Sequence, residues 1–132
     1  MFVVLLVEDD QMSRDMLVRR LTRLDYVVIT AANGREAVET ALTVSPNIIL
    51  MDMCMPEMDG MEATKRLKAH RKTGHIPIIA LTALNTTQDV RRAIQAGCDG
   101  FETKPVNLTR LNQKIHKLVV ESRQAMIQQD PL

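Results

Sequence analysis

Short apolar runs alternate with longer stretches of helical periodicity five times along the chain. The runs occupy 2–7, 26–31, 47–52, 76–82 and 100–103, and most are apolar at consecutive positions, as strands covered by helices on both faces must be. Between them Leu17, Leu21 and Leu24, then Ala37, Val38, Ala41 and Leu42, recur at spacings that line one helix face. A third helix is predicted over 60–70 and a fourth over 86–96, where Gly97 stops it. The last carries Leu108, Leu111, Ile115, Leu118 and Val119 on one face. Asn33 and Thr86 each precede an acid by three residues, the pattern that satisfies free N–H groups at a helix start, and Asp10 and Asn107 stand where caps are needed. This alternation predicts βα units around a parallel sheet. Right-handed crossovers and short connections then leave a doubly wound sheet of five strands with helices on both faces.

Composition narrows the reading without changing it. The 132 residues suffice for one domain, and 45% apolar with 25% charged is the balance of a globular protein. A net charge of +1 provides no general attraction to nucleic acid or anionic lipid. Phe2, Tyr26 and Phe101 are the only aromatic residues, too few for base-stacking platforms. No run reaches the length of a membrane span. The apolar start has no basic flank and meets Glu8, Asp9 and Asp10 at once, so it does not read as a signal peptide. A cytoplasmic protein with no nucleic-acid or membrane partner is expected. Cys54 and Cys98 lack metal-ligand spacing and read as reduced thiols, and His70, His75 and His116 read as surface residues. Five of the nine methionines fall between Met51 and Met61 and read as core and loop filling.

In a doubly wound sheet, ligands bind outside the carboxyl ends of the strands. Those ends carry Glu8 and Asp9, Asp52, Thr82 and Lys104. Each alone has an ordinary structural explanation, but together they form a chemical set. Three carboxylates on one rim repel one another unless a cation lies among them, and hard oxygen ligands alone point to Mg2+. Lys104 and the Thr82 hydroxyl then match the remaining oxygens of a phosphoryl group. Neither GxxxxGK[ST] nor GxGxxG occurs, so no cradle for a free nucleotide is present. The phosphoryl group therefore belongs on the protein, with Asp52 as its nucleophile.

The stretches VVLLVEDD at 3–10, IILMDMCMPEMDG at 48–60, PIIALTA at 77–83 and AGCDGFETKP at 96–105 strongly resemble the receiver domains of two-component response regulators, in particular the single-domain, chemotaxis-regulator-like kind. The resemblance runs from residue 2 to about 120, which implies a receiver domain over 1–120 and, over 121–132, the end of the last helix with a short polar tail. It implies a flavodoxin-like sheet of order 2-1-3-4-5 with five helices. By the same resemblance Asp52 takes a phosphoryl group from the phosphohistidine of a histidine kinase or histidine phosphotransfer protein. Glu8, Asp9, Asp52 and the Cys54 backbone carbonyl hold Mg2+, and Lys104, Thr82 and the Met53 and Ala83 amides bind the phosphoryl oxygens. The Lys104–Pro105 bond is cis and fixes the lysine's approach. Thr82 and Phe101 form the switch that alters the surface of the fourth helix, fifth strand and fifth helix for a separate effector protein.

Some positions depart from the pattern. Phe101 stands where Tyr is commoner, so no ring hydroxyl can take part in recognition. Cys54 and Leu84 occupy places that influence loss of the phosphoryl group to water, and an apolar Leu84 implies slow self-dephosphorylation. A Mg-dependent phosphohydrolase would want a second Asp at the place of Cys54, and a flavin carrier would want a phosphate loop where EDD stands. A module of a larger hybrid kinase or multidomain regulator is a further alternative, although both ends read as natural termini. The protein is expected to act as a phosphoacceptor that catalyses its own phosphorylation and dephosphorylation rather than as an enzyme.

Overall fold

The computed structural model describes residues 2–53, 55, 59–83 and 86–128. Five strands, β1 (Val3–Val7), β2 (Val27–Ala31), β3 (Ile48–Asp52), β4 (Ile78–Thr82) and β5 (Gly100–Thr103), alternate with α1 (Gln11–Arg23), α2 (Gly34–Val44), α3 (Gly60–Ala69), α4 (Thr87–Ala96) and α5 (Leu108–Gln128). All pairings are parallel, in the order β2-β1-β3-β4-β5. The flavodoxin-like expectation and the observed fold coincide.

The apolar runs sort by strand alternation into two cores. Leu5, Val7, Ile49, Met51, Ile78 and Ala80 pack on one face with Ala37, Ala41, Ala63 and Leu67 of α2 and α3 and Ala93 of α4. Val4, Leu6, Ile48, Leu50, Ile79 and Leu81 pack on the other with Leu17 and Leu21 of α1 and Leu111, Ile115 and Val119 of α5. Central β3 and β4 are buried throughout, whereas edge strand β2 is half exposed. Met51, Met53 and Met55 are buried, in line with the reading of this methionine cluster as core and loop filling.

Every expected cap is in place. Asp10, Asn33, Thr86 and Asn107 accept from the backbone N–H of Ser13, Glu36, Asp89 and Arg110 at 2.8–3.1 Å. Asp59 caps α3 in the same way, through Glu62 N–H at 2.9 Å. Strand boundaries move inward where a polar or proline residue takes over. Pro77 has no N–H to give and Ile76 N–H closes a turn onto Thr73, so β4 begins at Ile78 and not at residue 76. Asn47 precedes β3 and clasps Val3 at both ends of its backbone, its side chain accepting from Val3 N–H at 2.7 Å and its own N–H donating to the Val3 carbonyl at 2.9 Å. The α5 helix continues through Gln128, so most of the polar segment after residue 120 is its last two turns.

Phe2 stacks on Tyr26 at 6.4 Å, and the exposed His116 leans on both rings. His70 and His75 are exposed as expected. Cys98 is a free thiol that burial pushes up to about 11, so that it carries little thiolate near neutral pH. Among the described residues no helix is long and apolar enough to cross a membrane.

Candidate functional site

Parallel strands with short connections bring their carboxyl ends to one rim, and the polar residues placed there meet. Glu8 follows β1 and is buried, Asp9 is exposed beside it, and Asp52 ends β3 with 5% of its surface accessible. One carboxylate oxygen from each of the three lies within 4.8 Å of the others. Lys104, just past β5, reaches across the rim to Glu8 Oε1 at 2.6 Å and to Asp52 Oδ2 at 3.6 Å. Thr82 ends β4, buried, in the next strand to Asp52. Its carbonyl accepts from Lys104 N–H at 2.8 Å, which ties the two residues together through the backbone. The Lys104–Pro105 bond is cis. Asp10, the third acid of the run, turns away to cap α1.

Electrostatics follow from this crowding. Burial pushes the Glu8 carboxyl up, but hydrogen bonds with Asp52 and Lys104 and the lysine's charge outweigh it, and Glu8 lies below its ordinary range. Burial works against the Lys104 ammonium too, yet the bond to Glu8 and the charge of Asp52 hold it above its ordinary value. Among the described residues Lys104 is the cation paired with this group of three acids, through Glu8 and Asp52. A cation with hard oxygen preference would suit this donor set, in which Glu8, Asp9 and Asp52 each offer a carboxylate oxygen.

Three supports were not read from the sequence. Arg14, on α1, donates to the Glu8 carbonyl at 2.9 Å and holds the acid pair against the helix. Gly60 opens α3 so close to β3 that a Cβ there would lie 2.1 Å from the Asp52 carbonyl oxygen, a collision with backbone that admits no other residue. The third is a buried carboxylate on β5, Glu102, whose Oε1 accepts from Arg110 Nε at 2.7 Å and whose Oε2 accepts from Lys114 Nζ at 2.7 Å. Gly60 stands in the quoted IILMDMCMPEMDG stretch, where the Asp-Gly pair before a helical pattern could have signalled a close turn. Arg14 and Glu102 have partners that no local pattern indicates.

Phe101 is half-buried against the α2–α4 core, on the same side as Thr82's neighbour Ala80. Ala83 is exposed beyond β4. The Met53 amide is turned elsewhere: it donates to the Leu81 carbonyl at 3.0 Å, adding a rung to the β3–β4 ladder, and is not offered to the rim here. Cys54 and Leu84 lie outside the described residues.

The chain is similar to known response regulators and receiver domains. The polar-differentiation response regulator DivK of Brucella anthropi is 36% identical over 112 residues, which span 85% of this chain and 91% of that protein. The receiver domain of the sensor histidine kinase PA1611 from Pseudomonas aeruginosa, solved with a magnesium ion coordinated in its active-site cleft, has a TM-score of 0.84 at 32% identity over 89% of this chain and 97% of its own. A co-crystal structure of the Saccharomyces cerevisiae histidine phosphotransfer protein Ypd1 with the receiver domain of the response regulator Ssk1 matches with a TM-score of 0.83 at 32% identity, covering 90% of this chain and 89% of that one. The family model described as the response regulator receiver domain matches residues 4–116, and with the fold, the acid rim and these relatives in agreement, the chain belongs to that family of phosphorelay signalling domains.

Proposed function

We propose that Asp52 accepts a phosphoryl group from a phosphohistidine and that the resulting acyl phosphate switches the surface of α4, β5 and α5. The observation that carries this reading is the place of Asp52: a buried acid at the end of a central strand, between two further acids and a lysine 3.6 Å away. In the transfer an Asp52 oxygen forms its bond to phosphorus as the donor's P–N bond breaks, and the departing imidazole keeps the electron pair and takes a proton. Lys104 offsets charge on the phosphoryl oxygens, and the Thr82 hydroxyl and Ala83 N–H donate to them. Glu8, Asp9 and Asp52 would hold Mg2+, which supplies the positive charge that the crowded carboxylates and the incoming phosphoryl group need. The module thus assists its own phosphorylation and dephosphorylation and turns over no other substrate.

The donor is a histidine kinase or histidine phosphotransfer protein. Met12 and Met16 of α1 are 78% and 43% exposed, beside a cleft of about 170 Å³ that runs from Met16 and Leu17 to Lys104, Pro105 and Val106. An apolar helix face adjoining the phosphoacceptor rim suits such a partner. Phosphorylation draws Thr82 toward the phosphate, Phe101 swings inward, and a separate effector reads the altered face. The location is the cytoplasm, where a free thiol such as Cys98 is the ordinary state.

Incubation with Mg2+ and acetyl phosphate is expected to give a hydroxylamine-labile gain in mass that Asp52→Asn lacks. No gain in the native chain, or the same gain in Asp52→Asn, overturns the assignment.

A further inference from the structure

Phe101 and Glu102 are consecutive on β5, so their side chains leave opposite faces of the sheet. One residue of α5 holds both. Lys114 Nζ donates to Glu102 Oε2 at 2.7 Å and to the Phe101 carbonyl at 2.6 Å, and it lies 5.8 Å from the centre of the Phe101 ring. Because β5 is an edge strand, the lysine can reach around it from the α5 face to the ring. Glu102 is itself fixed by Arg110, whose Nε and guanidinium NH2 donate to Oε1 at 2.7 and 2.5 Å. On its other side the ring borders a hollow of about 200 Å³, lined among others by Met53, Ala80 and Thr82. The ring therefore stands between an anchored cation and a space it could enter.

We infer that Lys114, anchored by Glu102, is a latch that holds the Phe101 ring in its half-buried position and sets how much of the protein adopts the inward state without phosphorylation. The inference rests on the switch role proposed for Phe101 and adds its regulation. A lysine tied to Glu102 and to the Phe101 carbonyl cannot follow the ring, so the inward swing gives up the cation–ring attraction. Loss of that attraction raises the inward population about two- to five-fold, the range that a partly exposed contact of this kind spans. By reciprocity, a ligand that favours the inward state then binds tighter by the same factor while that state stays the minor one.

Phe2 and Phe101 are the only phenylalanines, so carbon-13-labelled phenylalanine gives two ring signal sets. Beryllofluoride with Mg2+, a mimic of the acyl phosphate on Asp52, should move the Phe101 set in the native chain and leave Phe2. Lys114→Gln alone should displace the Phe101 signals toward that end state and lower the beryllofluoride midpoint about two- to five-fold, with Lys114→Arg restoring both. Glu102→Gln, which loosens the anchor, should act in the same direction and carries the test if Lys114→Gln does not fold. If Phe101 responds to beryllofluoride in the native chain but neither variant displaces it, the latch is overturned and the switch stands. If beryllofluoride binds the native chain and Phe101 does not respond, the switch role falls and the latch with it.

Discussion

Two clusters in this protein bury carboxylates beside cations, and they differ in charge balance. At the Glu102 cluster one buried carboxylate meets two cations, Arg110 and Lys114, each within 2.7 Å. At the rim, three acids lie together, Glu8, Asp9 and Asp52, and among the described residues Lys104 is paired with two of them, Glu8 and Asp52. The first closes on itself and needs nothing from outside. The second gathers more carboxylates than cations among the described residues, the kind of set that a metal ion of hard oxygen preference suits. Burial alone would rank the two alike, since Glu8 and Glu102 are both almost inaccessible. The count of charges is what separates a ligand site from a structural ion network.

The largest expected effect comes from unbalancing the closed cluster. In Arg110→Met with Lys114→Met, Glu102 is left buried without a cation. The cost is about 3–4 kcal/mol at pH 7, limited by the carboxyl's option of taking up a proton instead of staying charged. Adding Glu102→Leu should recover most of it, because an apolar side chain of similar size needs no partner. Denaturant unfolding of the three chains checks this. A double variant that keeps native stability would show that solvent, and not the two exposed-headed side chains, balances Glu102.

The same contrast explains what could be read from the sequence. Glu8, Asp9, Asp52, Thr82 and Lys104 were legible as a set because each ends a strand or lies within two residues of its end, and parallel topology brings strand ends together whatever the side-chain packing. The apolar runs and the caps were legible for a similar reason, being local patterns with local causes. Glu102 was not, because within GFETKP it reads as one more polar strand residue. Its partners lie eight and twelve positions later on α5, and only the rotation of that helix against β5 brings them to it. Arg14 escaped notice likewise, since nothing about an arginine six residues after Glu8 marks it as a donor to that residue's carbonyl. The engaged Met53 amide depended on where the β3–β4 ladder ends, which an apolar run does not show.

A smaller effect should come from relieving the open cluster, and its sign should depend on Mg2+. Without the ion, Asp9→Asn removes one of three mutually repelling carboxylates and should stabilise the fold by about 1 kcal/mol, as neutralising a strained functional group commonly does. With saturating Mg2+ the native chain gains binding energy, about 2.7 kcal/mol at a hundredfold excess over the dissociation constant, and Asp9→Asn gains less. The order of the two midpoints should therefore reverse on adding the ion. Glu102→Gln should show the same Mg2+ response as the native chain. Equal responses from Asp9→Asn and the native chain would remove Asp9 from the metal site.

The smallest effect separates the clusters by pH in the absence of metal. Burial raises the Glu102 carboxyl, but its bonds to Arg110 and Lys114 lower it more, and it ends below its ordinary range. A group whose folded value is depressed binds its proton less readily folded than unfolded. Its contribution to stability is therefore complete above the unfolded value of about 4.3 and falls as pH drops through the folded one. The native chain should lose stability between roughly pH 5 and 3 more steeply than Glu102→Gln, whose amide has no proton to gain over that range. Glu8 lies below its range too, so both chains should retain a common acid-dependent loss. The quantity that tests the closed cluster is the difference between the two slopes. Parallel curves would mean that the two cations around Glu102 hold geometry without contributing to stability.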